Sequence, residues 1–463
     1  MRDSSFTDSR VTFVFGNKDV LSKPGERRQT PTSGYRIGLD PGTSVPFLEQ
    51  LHDELTGYES FSHFVVYRKF ESAWPRWEAD VALAGLLSVS QSSGTFELSD
   101  SGSYIRILRK LGDGAEGETQ TYDLTAWPLS TDRFRLGSTH VLSWADNAAF
   151  PGKTSVGSFT RGSVPGIRLR WRSPRDADYV FAGLKSALLT SRVPGLEAGE
   201  FIPNFAALFG AGMTLGDAIM FEAHGAYVEK GTQERPGLEG EPIYSVGTSG
   251  AITLFHGTFV RERSDLRLYR DDTGPWLDGT VLRPYEPGSG YFVSLEGVYQ
   301  TQSLEDPERF GRTKPLPGIG VGLSGNLKID ELSVTLYAFL RTAGFILFDV
   351  PGFVPFQALA DATETEPELT LSAKLEYDVT GLALRPALRL GILFPATLTS
   401  SIDEGARVQV LVNGTDRIVL PVGIDARPVF AGMFEVPFAP LEGSPFSTPG
   451  ERTHDSSMLA TVE

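Results

Sequence analysis

Cysteine is absent from all 463 residues, which rules out disulfides, cysteine-held metals and thiolate catalysis. No apolar run reaches the roughly 20 residues that a membrane-spanning helix requires. The most apolar stretch, Ala343 to Phe356, is interrupted by Gly344, Asp349, Pro351, Gly352 and Pro355, so insertion as a helix is excluded. Positive charge is in deficit, with 42 Lys and Arg against 58 Asp and Glu and a net charge of −16. The acids are spread along the chain and the bases are not clustered, which argues against a nucleic-acid partner. Met1 is followed by Arg2-Asp3-Ser4-Ser5 with no apolar h-region. The expectation is a mature form whose secretory signal is not in this sequence.

Signatures of catalysis and of cofactors are equally thin. No motif ties the histidines, His52, His63, His140, His224, His256 and His454, to a serine nucleophile and an orienting acid, so an enzyme is not expected. Asp271-Asp272-Thr273-Gly274 and the acids from Asp361 to Glu368 do not show the spaced ligands of a calcium loop. Gly318 to Gly325 has no phosphate-loop Lys-Ser/Thr. Neither a cofactor nor a metal is expected.

Alternation is what the chain has in quantity. From Leu369 to Val379, Leu369, Leu371, Ala373, Leu375, Tyr377 and Val379 share one face, while Thr370, Ser372, Lys374, Glu376 and Asp378 share the other. From Leu382 to Phe394 the rule repeats, with Leu384, Pro386, Leu388, Leu390 and Ile392 opposed by Ala383, Arg385, Ala387, Arg389 and Gly391. A two-residue turn at Thr380-Gly381 would put Val379 beside Leu382 and Glu376 beside Arg385, so that the apolar faces coincide. Strands of soluble sandwiches run about 5 or 6 residues, whereas a tilted strand needs about 9 to 11 to cross the hydrocarbon layer. The length of these runs fits a membrane, with leucines toward lipid and charges toward a wet lumen.

The same pattern recurs along the chain. Arg10 to Phe15 and His63 to Phe70 alternate, as does Trp77 to Val89, where Glu78 and Asp80 lie behind the apolar face. Tyr104 to Leu111, Tyr122 to Leu129, Arg133 to Trp144, Gly166 to Arg172 and Asp178 to Ser191 follow, parted by Gly, Ser, Pro, Asn or Asp. Ala207 to Leu215 and Ile219 to Tyr227 share an apolar face if Gly216-Asp217-Ala218 is the turn, which points Glu222 and His224 inward. Ala251 to Val260 and Asp265 to Tyr269 are less regular. Tyr291 to Tyr299 carries tyrosine at both ends of its apolar face and Glu296 behind it. Ile319 to Arg341 forms a second hairpin; a turn at Asp330-Glu331 sets Gly322 opposite Phe339. Arg407 to Val412 and Val429 to Phe438 are late strands. Phe47, Leu48, Leu51 and Leu55 fall at helical spacing and suggest a short amphipathic helix.

Taken together, the chain resembles a Gram-negative outer-membrane β-barrel from Arg10 to Phe438. The pieces Arg10-Val11-Thr12-Phe13-Val14-Phe15-Gly16, Ser101-Gly102-Ser103-Tyr104-Ile105-Arg106 and Asp132-Arg133-Phe134-Arg135-Leu136-Gly137 also resemble large barrels of gliding myxobacteria. The resemblance implies a passive pore or an outer-membrane part of the gliding apparatus, and it brings no catalytic residues. The expected fold is all-β, a single transmembrane antiparallel barrel of about 16 strands (14–18), with short turns on one side and long loops on the other. It spans residues 1–440, with a polar tail at 441–463. The expected function is porin-like: a passive channel for small hydrophilic solutes, lined by Glu78, Asp80, Glu222, His224, Glu296, Lys374, Glu376, Arg385 and Arg389. The alternative is a structural scaffold of a motility or envelope complex, with a plugged lumen and envelope protein partners. Such barrels end on an aromatic residue of the last strand. Here the sheet either closes through Phe434 to Phe438 with a tail beyond, or its closing strands are missing or altered.

Overall fold

The computed structural model describes residues 5–437 apart from 17–34, 40–45, 51–58, 72–73, 91–94, 101, 114–118, 132–133, 135, 138–141, 143, 146–163, 175–177, 191–200, 217, 234–235, 258, 261–279, 282–287, 349–357, 380–384, 400–406, 414–415 and 422–426. One antiparallel sheet of 17 strands dominates it. In chain order these are β1 (Ser5–Gly16), β2 (Glu59–Glu71), β3 (Trp77–Ser90), β4 (Thr95–Asp100), β5 (Tyr104–Lys110), β6 (Thr121–Trp127), β7 (Gly166–Arg172), β8 (Tyr179–Thr190) and β9 (Phe201–Leu215). They continue with β10 (Ile219–Thr232), β11 (Pro242–His256), β12 (Ser289–Glu305), β13 (Thr313–Ile329), β14 (Leu332–Arg341), β15 (Glu368–Tyr377), β16 (Arg385–Phe394) and β17 (Arg427–Pro437).

Apart from β4 and β5, each strand pairs with the next, and the ladder runs full circle. Strands β4 and β5 lie end to end along β3, which meets Asp100 at Gly85 and Tyr104 at Ala82. They count as one stave, so the ring has sixteen. Strand β17 pairs with β16 on one side, Arg385 opposite Glu435, and with β1 on the other, Phe13 opposite Phe434. Strand β1 in turn pairs with β2, Phe6 opposite Tyr67. The sheet therefore closes through Phe434, the first of the two endings expected. Closure is what lets strands enter lipid, because each backbone N–H and C=O finds its partner on a neighbouring stave.

Two hairpins have the expected register. Ile329 faces Leu332 across Asp330-Glu331, with Asp330 at a φ of 52°, and Gly322 faces Phe339. A Cβ on Gly322 would lie 2.7 Å from Phe339 Cδ1, so the ring covers the glycine. Leu215 faces Ile219 across 216–218, with Gly216 at a φ of 59°. The hairpin of β15 and β16 departs from expectation. Glu376 faces Ala387 rather than Arg385, and Lys374 faces Arg389. A shift of two residues keeps every side chain on its face, because the side-chain period is also two. Hydrophobic patterning therefore cannot tell the two registers apart.

Other expectations need correction. Arg133 to Trp144 is not a stave; Leu136 and Trp144 form an isolated antiparallel bridge. Arg407–Asn413 is a strand, but it belongs to a separate sheet with Thr365–Glu366, Ala396–Thr399 and Asp416–Pro421. Pro46–Gln50, expected to begin a helix, pairs as a strand with Tyr35–Leu39, because local spacing yields to a nearby partner strand. A short helix, α1 (Ala343–Phe348), follows β14. Asp265 to Tyr269 and the tail 441–463 lie outside the described residues.

Strand direction sorts the links by end. Links 72–76, 111–120, 173–178, 216–218, 330–331 and 378–384 share one end with the start of β1 and the finish of β17. The link 257–288 is the long one there, and it carries the small pair Phe259–Val260 and Thr280–Val281. The opposite end holds 17–58, 128–165, 342–367 and 395–426, together with four shorter links. That asymmetry is characteristic of outer-membrane barrels, whose short turns are periplasmic.

Facing follows the alternation. Leu83, Ile105, Leu169, Leu184, Phe209, Ile252, Leu295, Leu323, Leu336, Leu371 and Leu390 are all exposed on the outer surface. Trp74, Trp77, Tyr122, Tyr291 and Tyr377 stand outward near the short-turn end, and Tyr227, Tyr244 and Tyr299 near the other, giving the two aromatic girdles of a membrane band. Most inward positions are polar and at low exposure. An apolar exterior over a polar interior inverts the soluble pattern, and lipid is the solvent that stabilises it.

Candidate functional site

The lumen is the site, and three groups of residues shape it. The first is the link between β6 and β7, which folds into the barrel. Its Phe134, Leu136, Leu142 and Trp144 are buried against Ala206 and Leu208 of β9, Ala226 and Val228 of β10, Val298 of β12, and Tyr337 and Phe339 of β14. Small inward residues make room for it. A Cβ on Gly183 would lie 2.5 Å from the Phe134 ring, and one on Gly320 would lie 2.8 Å from Leu142 Cδ2. Phe134 stacks on Trp127 at 5.2 Å between centroids. Lys185 secures the segment: its Nζ donates to the Ala145 carbonyl at 2.8 Å and the Thr131 carbonyl at 3.3 Å, and sits 5.4 Å from the Phe134 ring centre. A sixteen-stave barrel is wide enough for an aqueous channel, and this segment narrows it.

The second group is a basic wall on β2 to β7. Arg168, Arg170 and Arg172 alternate with outward Ile167 and Leu169, so one strand places three arginines on its inner face. Asp123 on β6 anchors them, with Oδ2 2.9 Å from Arg170 Nε and 3.4 Å from Arg172 Nε, and Oδ1 3.8 Å from Arg168. Arg168 also lies over the rings of Trp127 and Phe134, at 5.2 and 5.7 Å. Arg106 Nε meets Asp80 Oδ2 at 2.7 Å. Glu78 bridges Lys69, at 2.7 Å, and Lys110.

The third group is the opposite wall, β10 to β15. Lys328 pairs with Asp378 and Lys374 with Glu376, each at 3.0 Å, and all four side chains are buried. Arg341 grips Glu368, with its Nε at 2.9 Å. Tyr179 donates to Glu222 Oε1 and lies 3.1 Å from His224 Nε2, while Ser249 reaches His224 Nδ1 at 3.5 Å. Glu296 is buried on the same wall. At the long-loop end, α1 and the small sheet pack Ala343, Ile346 and Ala396 against Ile243, Leu304 and Leu316. Outside the membrane band Asp361 lies 2.5 Å from Lys314 Nζ, whose hydrogen bond holds its carboxyl below the ordinary value. Among the described residues, no group of three or more His, Asp or Glu is placed to hold a metal ion.

Of the residues expected at the lumen, Glu78, Asp80, Glu222, His224, Glu296, Lys374 and Glu376 are on the inner face. For Arg385 and Arg389 only the backbone is described, at positions facing Glu435 and Lys374. Glu376, expected beside Arg385, pairs with Lys374 of its own strand at 3.0 Å, and its cross-strand neighbour is Ala387. The inner residues divide between two walls. The fuller basic ladder stands on β7, whose Arg-x-Arg-x-Arg spacing carries the signal.

The closed ring, its outward apolar belt and its charged interior define an integral membrane β-barrel of the outer-membrane type. Outer-membrane barrels are also what the chain is similar to in structure. OmpT of Vibrio cholerae, in its trimer form, shares 9% identity at a TM-score of 0.41, covering 94% of this chain and 99% of that one. The anion-selective porin from Comamonas acidovorans shares 9% at 0.42, covering 94% and 100%. The outer membrane channel DcaP of Acinetobacter baumannii shares 10% at 0.43, covering 94% and 97%. At such scores and identities these likenesses add no weight to what pairing and facing establish. No family model and no curated protein matches.

Proposed function

We propose that the protein is a passive channel for small hydrophilic solutes in the outer membrane, lined by inward charged residues and narrowed by the segment between β6 and β7. One observation supports this reading above the others. Charged side chains of the basic wall, such as Lys69 and Arg170 at 22% exposure, meet water inside a ring whose outer surface is apolar. Charge held at partial exposure inside a barrel has its natural use in solute passage. The reading calls for no cofactor. Reconstitution in planar bilayers tests it: stable open-channel current from the purified barrel is the expected result, and a barrel that inserts without conducting overturns it.

One feature favours a second reading, a plugged barrel that serves as a scaffold for envelope partners. On the opposite wall the paired side chains of Lys328, Asp378, Lys374 and Glu376 are no more than 2% exposed, so matter rather than water covers them. The silent outcome of the bilayer experiment belongs to that reading.

A further inference from the structure

We infer that the outer wall of the barrel carries a binding site for an anionic glycerophospholipid, on β2, β3, β5 and β6 near the short-turn end. The site stands whether or not the barrel conducts. Two outward arginines carry it. Among the described residues of the staves, the exposed lysines or arginines on the lipid face are Arg68 and Arg109. Arg68 stands three residues before the end of β2 and Arg109 one before the end of β5, both at the short-turn end of the barrel. Cross-strand neighbours fix the facing: Arg68 is opposite Val81, and Arg109 is opposite Trp77 on one side and Tyr122 on the other.

Each guanidinium is seated on an aromatic ring. Arg68 Cζ lies 5.1 Å from the centre of the Phe70 ring, and Arg109 Cζ lies 5.7 Å from that of Trp77. A ring covers one face of a guanidinium, whereas its N–H donors point outward in the plane. Phe70, Trp74, Trp77 and Tyr122 are exposed beside the two arginines, the placement of aromatic side chains at headgroup level. Asp113, on the link 111–120, is engaged by Arg76 at 2.9 Å. Deeper along the same strands Leu83, Ile105, Ile107 and Leu124 continue the outer surface, so acyl chains have an apolar bed below the arginines. A charge on the lipid face is tolerated best near the interface, where a lipid of opposite charge can meet it. A phosphodiester headgroup without a compensating amine supplies that charge, and the planar fork of arginine fits two phosphate oxygens. Short turns are periplasmic in barrels of this type, so the ligand belongs to the periplasmic leaflet.

Native mass spectrometry of the detergent-solubilised full chain tests the site with dioleoyl phosphatidylglycerol against dioleoyl phosphatidylcholine, which share acyl chains and differ in headgroup charge. Saturable retention of phosphatidylglycerol in preference to phosphatidylcholine is expected. Arg68→Gln/Arg109→Gln should weaken that retention about fivefold for each arginine removed and leave phosphatidylcholine unchanged. Arg309→Gln, on the link between β12 and β13 at the opposite end, should bind like the parent. Equal retention of the two lipids by the parent, or a double variant that keeps the preference, overturns the site. Should the double variant fail to fold, phosphatidylglycerol with a photoreactive headgroup decides on the parent. Crosslinks within 68–77 and 105–122 are expected, and their absence there, or crosslinks spread around the ring, overturns the site. The two readings fail separately. A barrel that binds the lipid and does not conduct keeps the site and removes the channel; one that conducts without lipid preference does the reverse.

Discussion

Leu295 shows what alternation means at a single residue. It is 53% exposed in the middle of β12, while its neighbours Ser294 and Glu296 are buried inward at 4% and 1%. In a soluble protein a leucine so exposed would be unremarkable alone, but here it is one of a continuous outer belt. Leu295→Arg should cost about 2–4 kcal/mol of folding stability in phospholipid, the scale for a charge near the bilayer midplane. Denaturant-dependent refolding into vesicles measures it, and a cost near zero would contradict the outward facing. Lys185 shows the converse. A lysine buried to 1% is costly unless its donors are used, and Lys185 uses them on the carbonyls of an inserted segment.

Among elements, the stretch from Phe134 to Trp144 is the instructive one. Its alternation resembles a strand, yet it is packed inside the barrel, and the same apolar residues that would face lipid face β9, β10 and β14 instead. The partner strand carries the complementary anomaly: Ala206 and Leu208, on the inner face of β9, are apolar where polar residues would be expected. Each irregularity explains the other. Lys185→Met should free this segment while leaving the barrel closed, because the Ala145 carbonyl loses the lysine donor, at a cost of about 1–3 kcal/mol, and the Thr131 carbonyl keeps only the Phe134 N–H. Faster hydrogen exchange confined to residues 128–145, together with larger single-channel current, is the expected signature. Unchanged protection there would show that packing alone holds the segment.

For the whole molecule, closure is the decisive property. A ring has no end to fray, so its stability depends on every seam, including the one where β17 meets both β16 and β1. Deleting the chain from Arg427 onward should abolish the compact form that resists detergent and migrates anomalously on gels until boiled. Retention of heat-dependent migration after that deletion would mean that the ring closes by another pairing.

Much of this architecture was legible in order along the chain. Period-two runs of membrane length, the turn at Asp330-Glu331, the glycine beneath Phe339 and the inward course of Glu222 and Glu296 follow from side-chain alternation and turn geometry, which are local. A two-residue slip in the hairpin of β15 and β16 was invisible because it conserves facing. The arginines of β7 were equally local, and their spacing alone places them on one face. What alternation cannot report is the medium that an apolar face meets. Lipid, a second sheet and a segment folded into the lumen all reward the same leucines and phenylalanines, because hydrophobic burial has no direction. The choice for Phe134, the covering of one wall and the exposure of the other were settled only by contacts between residues far apart in the chain.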